Sequence, residues 1–508
     1  MKPRVLTRDI AWMIGPLCAC FLSVSALWLT AASATLGQNG VPLDDAWIHF
    51  QFARNLALGN GFSFNPGYPV PGSTAPLWTL ILAGAYKVFG DGFPLLGQIL
   101  SSVTFFTTVL FTFLLGRDII GKAWAASLAA ALVALNGRMA WAALSALEVG
   151  LFCTVTLLAV RTYLSGRALG QYSLWAACLF GFSGLCRPDG YLLFALSVVD
   201  FSLSGLSGNG ERDKAQWLRK LPVWPAVLFL AIVSPYLVFS LVTTGHLLPS
   251  TYQAKATVDF ALDFNFLSVA AKYLILDNPL FLPFFAVGIV FLIPQAPLIA
   301  MWCVTLPLAY ALMHAIPYQH GRYLMPLIPF NALVGVWGLL KTMRMATLRG
   351  WVPRTPTRRT LAVLGVVLSV GTAWRLPLMS QEYAANVVDI NTMHVAFGKW
   401  LLTNTSPDDI IAVNDIGAIG YISERFVVDL AGLISPEVIP TLRGPDPTSG
   451  LTDFLKEQQV DCVIIFPSWF PGLVAQSQIL RPIHTISLEH NTIAGGRTMT
   501  AYETRWMK

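Results

Sequence analysis

Residues 1–50 read "MKPRVLTRDIAWMIGPLCACFLSVSALWLTAASATLGQNGVPLDDAWIHF", and the order of charge and apolarity in them decides the fold. Lys2, Arg4 and Arg8 precede an apolar run over 10–32, and two adjacent carboxylates, Asp44 and Asp45, follow it. The run is long and ends without a convincing small-residue cleavage site, so it reads as a retained anchor and not as a removed leader. Basic residues stay on the cytoplasmic side of a span. The chain therefore starts in the cytoplasm, and the acid pair lies outside.

The rest of the chain repeats the pattern. Of its 508 residues 55% are hydrophobic and 12% charged, about half the charge of a soluble protein of that length. Further spans are expected at roughly 92–116, 122–137, 147–164, 170–186, 190–204, 222–243, 277–293, 297–315, 323–342 and 359–376, about eleven with the first. The stretch 75–90 is apolar but short, and suits a helix lying in the outer interface. This count leaves Arg117/Lys122, Arg161/Arg167, "ERDKAQWLRK" (211–220) and "KTMRMATLRGWVPRTPTRR" (341–359) in the cytoplasm. Those are the most basic loops of the membrane region, and treating 75–90 as a span would export them. The expectation is a multi-pass protein of the cytoplasmic (inner) membrane with its tail outside. Seven cysteines lie mostly within apolar runs without paired metal spacing, as small buried hydrophobes do.

The tail differs in kind. "DDIIAVNDIGAIGYISERFVVDLAGL" (408–433) alternates short β-branched runs with glycine turns, and "GLTDFLKEQQVDCVIIFPSWF" (450–470) reads as a helix followed by a buried strand. Residues 1–376 are thus expected to form the membrane domain, with a first outer loop over about 33–91, and 377–508 an extracytoplasmic α/β domain.

Polar insertions collect on the outer side. Asp44 and Asp45 open an amphipathic helix that "GNG" (59–61) ends. Glu148 stands where a span begins, and "CRPDG" (186–190) puts Arg187 and Asp189 in a tight turn. "GHLLPSTYQAKA" (245–256) supplies His246, Tyr252 and Lys255, and "IPYQHGRYLMP" (316–326) supplies His320, Arg322 and Tyr323. Ionisable groups at membrane level are expensive and mark function by default. Each also has a plainer reading. An Asp can cap a helix, Glu148 can pair with Arg138, and Arg187 can neutralise Asp189. Lys255 can snorkel into headgroups, and His320 can be an ordinary interface histidine. Arg322 at the mouth of a span needs an anionic partner. Together, a carboxylate can take the proton of an attacking hydroxyl, while Arg322 and Lys255 suit a phosphate leaving group. That combination points to sugar transfer from a lipid phosphate.

The chain resembles the GT-C superfamily of polytopic glycosyltransferases, which use polyprenyl-phosphate sugars. "DDAWIHFQFARNLALGNGFSFNPG" followed by "GSTAPLWTLILA" is similar to the branch containing bacterial cell-wall arabinofuranosyltransferases. "SALEVGLF" resembles that branch's Gly-(Leu/Met)-Glu-Thr element, with Ala146 and Val149 in place of the Gly and Thr. "RPDG", "LLPSTYQAKA", "HGRYLMP" and "NDIGAIGYISERFVVDLAGLISPEVI" follow in order. The resemblance implies Asp44 as catalytic base, with Asp45 and Glu148 supporting it or binding a divalent cation (Mg2+, Mn2+ or Ca2+). It implies donor-phosphate roles for Lys255 and Arg322, with His320 and Tyr252 beside them. Arg54, Arg187, Asp189 and Tyr323 are candidate substrate-binding residues. The expected partners are a polyprenyl-phosphate sugar, an envelope glycan or glycolipid acceptor and membrane lipids, with no nucleic acid. The tail is expected to help hold the acceptor. Two other classes compete. A transporter or lipid flippase would use Asp44/Asp45 as a cation or proton site, but would carry mid-span charges and two related halves. A binding scaffold would work through its tail and leave the membrane carboxylates dispensable.

Overall fold

The computed structural model describes residues 9–206, 221–249, 261–315, 319–350 and 358–506. Among them, six helical runs are long and apolar enough to cross a membrane: Ala11–Ala34, Leu95–Ile120, Val149–Arg167, Val223–Thr244, Gln319–Leu348 and Thr360–Asn404. Two bent pairs raise the number to eight if each is one span: Ala123–Ala134 with Gly137–Leu144, at 60°, and Phe264–Asp277 with Leu282–Leu292, at 107°. The expected eleven is not reached on length and composition, because several predicted spans are short. Leu174–Cys186 has 13 residues, which at 1.5 Å per residue is ~20 Å against a hydrocarbon core of ~30 Å. Pro76–Phe89 is likewise a short apolar helix of 14 residues.

Both bends have a local cause. Asn136 accepts a hydrogen bond from the Met139 amide at 3.1 Å and caps the second helix of its pair. A side-chain cap restarts a helix in a new direction while satisfying an orphan amide. At the sharper bend, Asn278 donates to the Leu368 carbonyl at 3.0 Å and the Thr372 hydroxyl at 2.9 Å. Its own oxygen accepts from the Leu280 amide at 3.1 Å. Backbone interrupted at membrane depth needs such partners, since no water is there to supply them.

The tail folds around a five-stranded sheet in the order β2-β1-β3-β5-β4. The strands are β1 (Ile410–Val413), β2 (Phe426–Asp429), β3 (Cys462–Ile465), β4 (Leu480–Ser487) and β5 (Thr498–Thr504). β1 runs parallel to β2 and β3, whereas β5 pairs antiparallel with β3 and β4. Parallel neighbours need crossovers, here through the helices Gly417–Ser423 and Pro447–Glu457. Side chains alternate between two cores: Ile411, Val413 and Ile464 enter one, Ala412, Val463 and Ile465 the other. The first of these cores is shared. Ile48, Phe52, Phe64 and Val70, from the segment between Ala11–Ala34 and Leu95–Ile120, pack in it beside Met393 and Phe397. Asn65 completes the join along β2, with its amide donating to the Val427 carbonyl (2.8 Å) and accepting from the Val427 amide (3.0 Å). One loop of the membrane domain thus serves as part of the tail's own core.

Candidate active site

The helix Asp45–Leu58 begins at the acid pair and stops at Gly59, whose φ of 89° is the left-handed cap glycine adopts readily. Successive helical residues point about 100° apart, and the two acids go separate ways. Asp44 accepts from the backbone amides of Gly417 and Ala418, each at 2.7 Å, at the start of the helix Gly417–Ser423. Burial pushes its carboxyl up to about 6, against the pull of His394 and the two amides, with Asp415 adding to the rise. Asp45 turns instead to Arg322, Oδ2 to Nη2 at 2.8 Å.

Arg322 follows an unusual backbone. Gln319, His320 and Gly321 have φ of 57°, 59° and 66°, and the left-handed region costs a non-glycine residue about 1–2 kcal/mol. Gly321 also has no room for a side chain, since a Cβ there would lie 2.5 Å from the Tyr273 ring. The His320 imidazole meets Asn386 Oδ1 at 3.0 Å and Glu382 at 3.6 Å. Arg322 itself is only 7% exposed, and its Nε has no hydrogen-bond partner among the described residues. Next to it, Tyr323 stacks on Tyr310 with ring centroids 5.1 Å apart.

Glu148 directly precedes the helix Val149–Arg167, without capping it through its side chain. Two residues before it, Ala146 has φ 58°, and its carbonyl accepts from the Trp78 indole at 3.0 Å. Alanine there occupies a left-handed conformation that glycine takes without strain. Glu148 Oε1 pairs with Arg187 at 2.8 Å, and Oε2 lies 3.8 Å from His49 Nε2. Arg187 reaches Asp189 at 2.7 Å, and Tyr310 donates to the other oxygen of Asp189. Burial raises the Glu148 carboxyl, but Arg187, His49 and Arg322 outweigh it and hold the group below its ordinary range. The Tyr323 ring lies 5.7 Å from the guanidinium carbon of Arg322 and 5.8 Å from that of Arg187, so both ion clusters border one site: Asp45, Arg322, Glu148, Arg187, Asp189 and Tyr323 come together.

Other candidates lie elsewhere. Arg54 faces the tail, with its guanidinium 4.1 Å from the Tyr421 ring centroid. It donates to the Tyr421 carbonyl at 3.0 Å and pairs with Glu424 at 3.3 Å. Tyr252 and Lys255 lie outside the described residues. Glu148 pairs with Arg187, and Arg138, its partner in the plainer reading, pairs instead with Asp277 at 2.8 Å. His49 and Tyr310 belong to the site but were not expected there. His49 had a signal, since it stands four residues after Asp45 and so on the same helix face; Tyr310, inside an apolar run, had none. For a divalent cation the residues fit poorly. Asp45 and Glu148 are each held by an arginine, and among the described residues no group of three or more His, Cys, Asp or Glu is placed to hold a metal.

A family model described as "Domain of unknown function (DUF8728)" matches residues 381–505. No curated protein sequence matches the chain. Among solved structures, ArnT from Cupriavidus metallidurans bound to undecaprenyl phosphate is similar at TM-score 0.58 and 14% identity, over 95% of this chain and 97% of that one. The same protein in the apo state gives TM-score 0.59 at 14% identity over the same shares. An Archaeoglobus fulgidus oligosaccharyltransferase, in complex with Zn and sulfate, is similar at TM-score 0.52 and 11% identity, over 96% of this chain and 73% of that one. The fold is therefore the GT-C-like fold of ArnT, a multi-pass helical membrane domain with an α/β region at its C-terminal end.

Proposed function

We propose that the chain is a membrane glycosyltransferase. It moves a sugar from a polyprenyl-phosphate donor to an envelope glycan or glycolipid on the extracytoplasmic face of the inner membrane. The observation that carries this reading is Arg322, buried beside a carboxylate with Nε unpartnered among the described residues. In ArnT, a protein of the same fold, the solved structure holds undecaprenyl phosphate. The narrower reading, an arabinofuranosyl donor, rests on the ordered motif series.

Within this reading the acid pair divides its work. Both Asp44 oxygens are occupied by amides of the tail, so Asp45 is the better placed base. An arginine partner makes a carboxylate a weak base. When the donor phosphate arrives, it competes for Arg322, and Asp45 gains basicity as its partner is drawn away. The acceptor hydroxyl then gives its proton to Asp45, its oxygen bonds to the anomeric carbon, and the carbon–oxygen bond to phosphate breaks. Arg322 takes up the charge left on the polyprenyl phosphate, with Lys255 as a second cation. Glu148, Arg187 and Asp189 hold the sugar's hydroxyls.

The test uses purified protein in nanodiscs with a panel of polyprenyl-phosphate pentoses and hexoses. Transfer from one donor, reduced about 10²–10⁴-fold by Asp45→Asn, is the expected result. No binding of any donor by well-folded protein would end the proposal. Transfer that is lost with Asp44→Asn at neutral pH but kept with Asp45→Asn would return the base role to Asp44.

A further inference from the structure

Arg138 is 3% exposed and has no part in the chemistry described above. It sits in the Gly137–Leu144 helix just after the 60° bend, and Asp277 ends the helix before the 107° bend. The two bent helix pairs meet here, Nη1 to Oδ2 at 2.8 Å. The other guanidinium donors point at the backbone. Nε donates to the His320 carbonyl at 2.7 Å and Nη2 to the Gly321 carbonyl at 2.8 Å. The Tyr273 ring lies 4.2 Å from the guanidinium carbon and fills the space that a side chain on Gly321 would need.

From this arrangement we infer that Arg138 is a positioning residue, which holds the left-handed His320–Gly321 turn so that Arg322 is presented to an anionic phosphate. The inference rests on the reading of Arg322 as a phosphate-binding residue. Turns of this kind persist where the surroundings over-determine them. Here a single planar fork spans two successive carbonyls and an anchoring carboxylate. A lysine is a point charge and cannot make those three contacts in fixed geometry. Asp277 keeps the buried cation neutralised, so the device is a pair and not a lone charge.

The experiment is a double-mutant cycle on the full chain in nanodiscs, read as affinity for undecaprenyl phosphate, with a thermal melt of each variant. Arg138→Gln should weaken binding about 10-fold or more in the native background, the scale of one lost charge-assisted hydrogen bond. In the Arg322→Ala background it should change affinity less than about 2-fold, because the group it positions is gone. Arg138→Lys should recover only part of the loss. Equal losses in both backgrounds would make Arg138 a general structural residue and overturn the inference. If Arg138→Gln does not fold, Asp277→Asn is carried through the same cycle under the same criterion. Native protein and Arg322→Ala binding the lipid equally would instead remove the phosphate reading itself, whatever Arg138 does.

Discussion

Two neighbouring aspartates with identical chemistry end in different environments, and the difference is testable by pH. The Asp44 carboxyl lies near 6 in the fold against an ordinary 3.8, so folding takes up a proton between those values. Its stabilising contribution is present below about pH 4 and is lost as pH rises through about 6. The melting temperature of the native chain should therefore fall across that window relative to Asp44→Asn, by the equivalent of at most ~3 kcal/mol. Parallel curves for the two proteins would show that Asp44 does not titrate there. Arg322→Ala should weaken undecaprenyl phosphate binding about 10-fold or more with a small change in melting temperature; a collapsed melt with unchanged affinity would reduce Arg322 to the ion-pair partner of Asp45. The residue types of this site were legible in the sequence, because charges in an apolar chain stand out. Their partners were not. Arg187 and Asp189 stand two residues apart and their pairing could be foreseen, but Asp44 with Gly417 and Arg138 with Asp277 join residues far apart in sequence, and only the fold decides such pairings.

Helices were legible where they were long and uninterrupted, and misjudged where length and polarity disagreed. The apolar runs behind Ala11–Ala34, Leu95–Ile120 and Val223–Thr244 match their elements closely. The run at 122–137 hides a break at Asn136, a residue that is both tolerable in a span and a strong cap. In the tail, the helix and strand of 450–470 correspond to Pro447–Glu457 and Cys462–Ile465, while the β4–β5 hairpin went unforeseen. In β4 Leu480 alone is buried and the next three residues are exposed in a row, with a register shift between Pro482 and His484, so its period-2 signal is weak. The Ala146 turn offers a test at this scale. Changing the position to glycine removes the left-handed penalty but adds unfolded-state entropy. Ala146→Gly should change stability by no more than ~1 kcal/mol, in the stabilising direction, and leave donor affinity intact. A melt lowered by several degrees would mean that the Ala146 methyl, 2.9 Å from where a Cβ on Gly97 would stand, contributes more than its conformation costs.

The whole molecule is tied together by the segment between its first two long apolar helices. Phe52 and Phe64 lie in the tail's core, Asn65 extends β2, Arg54 stacks on Tyr421, and Asp44 caps the helix Gly417–Ser423. Because Asp45 follows Asp44 directly, docking of the tail and placement of the Asp45–Arg322 pair are parts of one arrangement. The tail can therefore affect transfer without touching the donor. Gly417 is the point at which to separate the two. A Cβ there would lie 2.1 Å from the Asp44 carbonyl oxygen, too close for any rotamer to relieve, so Gly417→Ala must push the cap away from its carboxylate. Within the tail, the second core around Val463 and Leu455 includes no residue of the Gly417–Ser423 helix or of 44–58. The expected outcome is faster hydrogen exchange at the Gly417–Ser423 helix and over 44–58, with β3 and β5 still protected and transfer reduced about 10-fold or more, the order of one lost charge-assisted cap. Exchange that rises throughout the tail would mean the sheet unfolds with the cap. Exchange raised only at the cap, with transfer unchanged, would show that the reaction centre holds Asp45 on Arg322 without help from the tail.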